Sequence, residues 1–204
     1  YGNIVKLASD TQESGLWLPS TFFALNYQWG GGIPFGKIVE IAGEESSGKS
    51  LIAYNFAYSC QQLGGHVIWV DAEQSWMNSW AEANGVDPNQ VTVVNDTRIE
   101  YISDIVADLA IYYRSQLVNN EPILLVVDSV AAMDCSDNID AKMVEGKAEM
   151  GGRAKALYKY FRIRNELFYR LGVTQIYINQ LRTALNVGFG KDNTTTTGGA
   201  ALKF

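Results

Sequence analysis

Histidine is nearly missing from this chain: His66 is the single one among 204 residues. It follows Gly64-Gly65 at the start of an apolar run, so neither a histidine-based zinc site nor a Ser-His nucleophile pair has the residues it needs. Cysteine is almost as scarce. Cys60 and Cys135 are far apart and form no C-x-x-C, which fits reduced thiols in a cytosolic protein rather than a disulfide framework. No apolar run approaches the roughly 18 uncharged residues a membrane span requires. Tyr1-Gly2-Asn3 has neither an initiator Met nor a basic n-region, so the start is expected to be trimmed rather than to be a signal peptide. Internal repeats and domain linkers are also lacking. Basic residues are sparse in the first 140 positions, which hold 5 Lys/Arg against 18 Asp/Glu, a balance of −13. Positions 141–204 reverse this with 11 against 4, or +7. The overall charge of −6 therefore hides a basic C-terminal third suited either to a polyanion or simply to a solvated basic face.

What the chain does contain is an apolar run, Ile38–Ala42, leading into Gly43-Glu44-Glu45-Ser46-Ser47-Gly48-Lys49-Ser50 and then Leu51 at the head of a helical stretch. This is the spacing of a phosphate-binding loop. Gly43 and Gly48 let successive N–H groups turn inward, and the helix that follows adds its positive end. Lys49 is placed to reach the β- and γ-phosphates of a nucleotide, and the Ser50 hydroxyl to ligate Mg²⁺. With 47% hydrophobic residues the chain can bury a substantial core. Further strands are predicted at His66–Asp71, Val91–Val94, Ile123–Asp128 and Gln175–Asn179. Helices are predicted through Trp76–Asn84, over 98–118 and over Arg153–Leu171. Alternating strands and helices imply an α/β fold with a mostly parallel central sheet covered by helices on both faces. Residues 1–36 read as a lead-in segment, with a short strand at Ile4–Leu7, a turn into a short helix capped by Ser20, and a Gly30–Gly36 loop. Residues 37–204 read as the core.

In such sheets ligands sit at the carboxyl ends of strands. Asp128 ends the most hydrophobic strand, where a carboxylate is costly unless it meets a cation, so it is the candidate partner of Mg²⁺. Asp71 and Glu73 end another strand, and alternation puts both on one side. Either carboxylate can be the base that activates water, and residue chemistry alone leaves the choice open. Gln180 ends a further strand, within reach of a γ-phosphate or of a loop hydrogen bond.

Taken together, Glu45–Ser50, Asp71-Ala72-Glu73, Val126–Ala132, Ile178-Asn179-Gln180 and Thr195–Phe204 resemble the bacterial RecA recombinases, in RecA order and with near-RecA spacing. The resemblance implies a RecA-like P-loop NTPase core. It implies that Glu73 is the catalytic glutamate, that Gln180 senses the γ-phosphate, and that Asp128 is the Walker B aspartate. Trp80 falls where the family stacks an aromatic ring on adenine, and Met77 where it places an aspartate toward the adenine amino group. Two DNA-binding loops are implied near 144–152 and 182–199. Met150 and Leu185 align with apolar wedges between base triplets, and Arg153, Lys155, Lys159, Arg162, Arg182, Gly198 and Gly199 with DNA contacts. Lys155, Lys159 and Arg162 share one helical face.

Glu44 in place of proline, Gly152-Arg153 where the family is apolar, and a lengthened Asn193–Thr197 run lead us to expect a divergent member, such as one encoded by a phage. The implied activity is cytoplasmic ATP-dependent strand exchange. A helical homo-oligomer would form on single-stranded DNA, pair it with a homologous duplex and hydrolyse ATP when DNA is bound. The family's N-terminal oligomerisation helix and last sheet strands are expected to lie outside the sequence. Two other readings stay open: a RecA-fold motor such as a ring helicase, marked by closed hexamers, and a scaffold that binds nucleotide without releasing phosphate.

Overall fold

The computed structural model describes residues 15–118, 120–144, 151–183 and 194–196. Along the chain these form β1 (Trp17–Leu18), α1 (Phe23–Gln28), β2 (Ile33–Pro34), β3 (Ile38–Gly43), α2 (Lys49–Gln62), β4 (His66–Asp71) and α3 (Asn78–Ala83). There follow β5 (Val91–Val94), α4 (Ile99–Gln116), β6 (Ile123–Asp128), α5 (Ser136–Val144), α6 (Gly152–Arg170), β7 (Val173–Thr183) and β8 (Thr194–Thr196). Five strands make a parallel sheet in the order β3-β7-β6-β4-β5, and β8 adds antiparallel to the far end of β7.

The sheet's two faces are legible in the alternation of each central strand. Ile123, Leu125 and Val127 of β6, with Ile68 and Val70 of β4, point to one side and meet Ile102 and Val106 of α4 and Leu157, Phe161 and Phe168 of α6. Leu124 and Val126, with Val67 and Trp69, point to the other and meet Ala53, Phe56 and Cys60 of α2. A strand covered on both faces has no polar side to show, which is why β6 is buried at every position and apolar until Asp128. Register then aligns the strand ends: Asp71 is paired with Asp128, and Gly43 with Gln180. The P-loop, both aspartates and Gln180 thus meet along one sheet edge.

Several expectations change in detail. Ser20 does not cap α1, whose N-cap is Phe22 without a side-chain bond. Instead the Ser20 N–H donates to Asn26 Oδ1 (2.7 Å) and its Oγ accepts the Phe22 N–H (3.1 Å), bracing the turn before the helix. The Gly30–Gly36 loop contains β2, which pairs with β1. Helix α5 is an element that the periodicity of the sequence does not announce. Parts of the expected 182–199 loop are strand: β7 runs on to Thr183, and Thr194–Thr196 pairs with its end. The Ile4–Leu7 strand lies outside the described residues.

Candidate nucleotide site and basic helix face

The loop between β3 and α2 has the backbone a phosphate cradle needs. A Cβ on Gly43 would fall 2.6 Å from Ser47 Oγ, so any larger residue would have to push the Ser47 side chain aside, and Gly48 turns the chain at φ +88° to start α2. Gly48 gives α2 no side-chain cap, leaving the first N–H groups of a 14-residue helix without that partner. Glu44, Glu45, Ser46 and Ser47 are exposed along the loop, as is Leu51 one position past Ser50. Lys49 Nζ donates to the Glu44 carbonyl (2.5 Å), folding the lysine back over the loop.

Ser50 Oγ donates to Asp128 Oδ2 (2.7 Å), joining the helix start to the end of β6. Asp128 is buried, and that burial, reinforced by the charges of Glu73 and Asp71, pushes its carboxyl up to about 6 against the opposing Ser50 hydrogen bond and Lys49 charge. Nearby, Tyr54 stacks on Trp69 at 4.6 Å and is pushed up to about 12, first by burial and then by Asp128 and Asp71. A buried carboxylate crowded by two others is short of positive charge, so Ser50 and Asp128 fit a divalent cation. Among the described residues no three His, Cys, Asp or Glu side chains converge as a cage. Mg²⁺ suits such a place, because it binds through few protein oxygens together with substrate phosphates and water.

A carboxyl whose pKa is higher folded than unfolded binds protons more tightly in the folded state. Its contribution to stability therefore grows as pH falls from about 6 toward the unfolded value near ~4 and is lost above about 6. Asp128→Asn keeps an oxygen for Ser50 and removes the buried charge. At pH 7–8 without metal or nucleotide the variant is expected to be more stable by about 2–3 kcal/mol at most, the linkage between an unfolded carboxyl near ~4 and a folded one at about 6. Thermal melts across pH check this: the gap should close below pH ~4. A gap constant with pH would refute the buried charge.

The structure separates the two carboxylates that residue chemistry alone left equivalent. Strand β4 ends at Asp71 and the chain turns, so alternation no longer applies beyond it. Asp71 is buried and accepts the N–H of Ser75 (2.9 Å) and of Trp76 (2.8 Å), which builds the turn. Glu73 is exposed, accepts a hydrogen bond from the Ser129 hydroxyl, and lies 3.3 Å from Gln180 Nε2. Sequence reasoning misses two supporting groups. Ser129 is visible there only as the residue after Asp128. Asn179 donates to Glu40 Oε1 (2.9 Å) and accepts the Gln180 N–H (2.9 Å), fixing the end of the strand from which Gln180 projects. Trp80 stands on α3 with 48% of its surface exposed and Met77 precedes that helix at 58%, so both are open to a ligand.

The basic third divides in two. Lys155, Lys159 and Arg162 are exposed on α6 and, with Ala154 and Tyr158, line a shallow concavity of about 460 Å³. Arg164 bonds to Ser103 (2.8 Å) and Asp104, and Arg170 to Glu166. Arg153, expected with the DNA contacts, turns inward: Nη1 donates to the Ala131 carbonyl (3.2 Å) and Nη2 lies 3.6 Å from Asp134 Oδ2. Arg182 lies in β7 opposite Thr195. Met150, Leu185, Gly198 and Gly199 lie outside the described residues.

The family model for the RecA N-terminal domain matches residues 1–204. The chain belongs to the RecA family. Among curated RecA relatives, Protein RecA of Corynebacterium jeikeium is 38% identical over 204 residues, covering 100% of this chain and 52% of the relative. Protein RecA of Picosynechococcus is 35% identical over 203 residues, covering 100% and 56%. Protein RecA of Mycoplasma mycoides is 38% identical over 175 residues, covering 85% and 48%. The chain thus spans about half the length of these relatives. Its parallel sheet with helices on both faces is a RecA-like core, and among the described residues no helix is long and apolar enough to cross a membrane.

Proposed function

We propose that this chain is the ATPase core of a cytoplasmic, DNA-dependent recombinase. It would form a helical filament on single-stranded DNA, pair that strand with a homologous duplex and hydrolyse ATP to ADP and phosphate. One observation carries the reading: Gln180, beside Glu73, lies on the same strand that runs on to Thr183 and the expected second DNA loop. A group at the γ-phosphate and a segment at the DNA share one rigid element, which is what coupling two sites requires.

The loop from Gly43 to Ser50 binds the phosphates through its backbone, Leu51 follows at the head of α2, and Trp80 offers a ring face to the base. Ser50 and Asp128 would hold Mg²⁺, which would supply positive charge against that of the nucleotide phosphates. Glu73 takes a proton from a water whose oxygen bonds to the γ-phosphorus. The bond to the bridging oxygen breaks, and ADP leaves with that electron pair. Lys49 offsets the charge that develops, and Gln180 orients the water or contacts the γ-phosphate. Lys155, Lys159 and Arg162 draw DNA phosphates without reading sequence, with Arg182 at the end of β7 and Met150, Leu185, Gly198 and Gly199 from the two expected loops as further contacts.

Phosphate release by the full-length protein, with and without a poly(dT) oligonucleotide, tests this. Turnover is expected to rise at least several-fold with DNA. Turnover indifferent to DNA overturns the coupling, and no phosphate release with any nucleotide overturns the enzyme.

A further inference from the structure

We infer that Arg153 is an internal positioning residue that links the basic helix face to the catalytic carboxylate, not a contact to DNA. The inference rests on the recombinase reading above. Arg153 is the second residue of the 19-residue helix α6, where a cation opposes the helix dipole. Its position is therefore set by partners outside the helix. Gly152 makes this possible: a Cβ there would fall 3.0 Å from Cys135 Sγ and 3.2 Å from Asn138 Oδ1, so its lack of a side chain lets the helix start press against the segment after β6. The adjacent arginine then reaches Asp134 and the Ala131 carbonyl, with only 29% of its side chain exposed.

Each partner has a distinct consequence. Asp134 is a fixed anchor. Its Oδ1 accepts the Cys135 N–H (2.9 Å) and Asn138 Nδ2 (2.8 Å), and its backbone pairs with Thr97 and Ile99. Ala131 belongs to the single 3-10 turn Val130–Ala132 that follows Ser129, and the Ala132 N–H closes that turn on the Ser129 carbonyl (3.1 Å). The Ser129 hydroxyl donates to Glu73. A contiguous set of bonds therefore runs from the first turn of α6 through Arg153, the Ala131 turn and Ser129 to Glu73. Lys155, Lys159 and Arg162 stand on that same helix. A pull on α6 by bound phosphates thus reaches the group that aligns the carboxylate.

The test uses the full-length protein as wild type, Arg153→Gln and Arg153→Lys. It reads phosphate release with and without saturating poly(dT), together with oligonucleotide affinity and its salt dependence by fluorescence anisotropy. For Arg153→Gln the stimulation ratio at saturating DNA is expected to fall about fivefold or more, while affinity stays within about twofold and the salt slope is unchanged. Arg153→Lys is expected to recover part of the ratio, because its ammonium still pairs with Asp134 but lacks the guanidinium fork. Should Arg153→Gln not fold, Arg153→Lys compared with wild type carries the same comparison at smaller amplitude. A salt slope smaller by about 0.7, the share of one neutralised phosphate on a single strand, with stimulation restored at saturating DNA, would place Arg153 on a DNA phosphate and overturn the inference. Full stimulation with unchanged affinity overturns it as well. A wild type that DNA does not stimulate brings down the recombinase reading itself.

Discussion

Replacing Glu73 with glutamine is expected to lower ATP turnover by roughly 10²–10⁴-fold while nucleotide binding persists. The size follows from what the substitution removes. Glutamine retains an oxygen to accept from Ser129 and Gln180, so the local hydrogen bonds survive and only the proton acceptor is lost. Glu73 is exposed, so the fold should shift by no more than about 0.5 kcal/mol. Single-turnover phosphate release, set against nucleotide affinity measured by fluorescence or calorimetry, separates the two effects. A loss smaller than about tenfold would move the role of base elsewhere. Asp71 is a poor substitute, since both its oxygens are committed to the turn at Ser75 and Trp76, and Asp71→Asn should act on stability before it acts on chemistry.

That distinction shows where sequence reading succeeds and where it stops. The sheet is legible because its central strands are buried on both faces: Ile123–Val127 has no polar residue to confuse the pattern, and the P-loop follows a strand and opens a helix as its spacing requires. Alternation fails at Asp71 and Glu73 because it holds only while the chain stays extended, and β4 ends between them. Helix α5 escapes notice because Ser136–Val144 is short and polar, with little apolar period to read. The strand pair β7–β8 escapes because Thr194–Thr196 looks like loop composition and its partner is the end of β7, beyond the strand read at Gln175–Asn179. Charge counting fails in another way. It cannot tell Arg164, held by Asp104 and Ser103, from Lys159, exposed on the same helix. Both add one charge to the sum, but only an outward-facing cation can meet a phosphate.

The outward cations carry the second large effect. Changing Lys155, Lys159 and Arg162 together to glutamine is expected to lower the slope of log affinity against log salt by about 2, three phosphates at roughly 0.7 each on a single strand. If these three cations contribute nothing to binding at 1 M salt, that slope corresponds to about 100-fold weaker binding at 0.1 M once they are removed. Anisotropy titrations with poly(dT) at several salt concentrations measure both quantities, and an unchanged slope would remove α6 from the DNA interface. Lys155–Lys159 and Lys159–Arg162 are also like-charge neighbours at i,i+4 and i,i+3, each costing an isolated helix about 0.2–0.5 kcal/mol, a repulsion that the triple variant relieves. Because bound phosphates pull on α6 through these cations, saturating DNA should not restore the stimulated turnover of the triple variant, nor that of Arg153→Gln. The two substitutions lie on one helix less than three turns apart, and affinity and salt slope, lowered in the first and unchanged in the second, separate holding the strand from reporting it to Glu73.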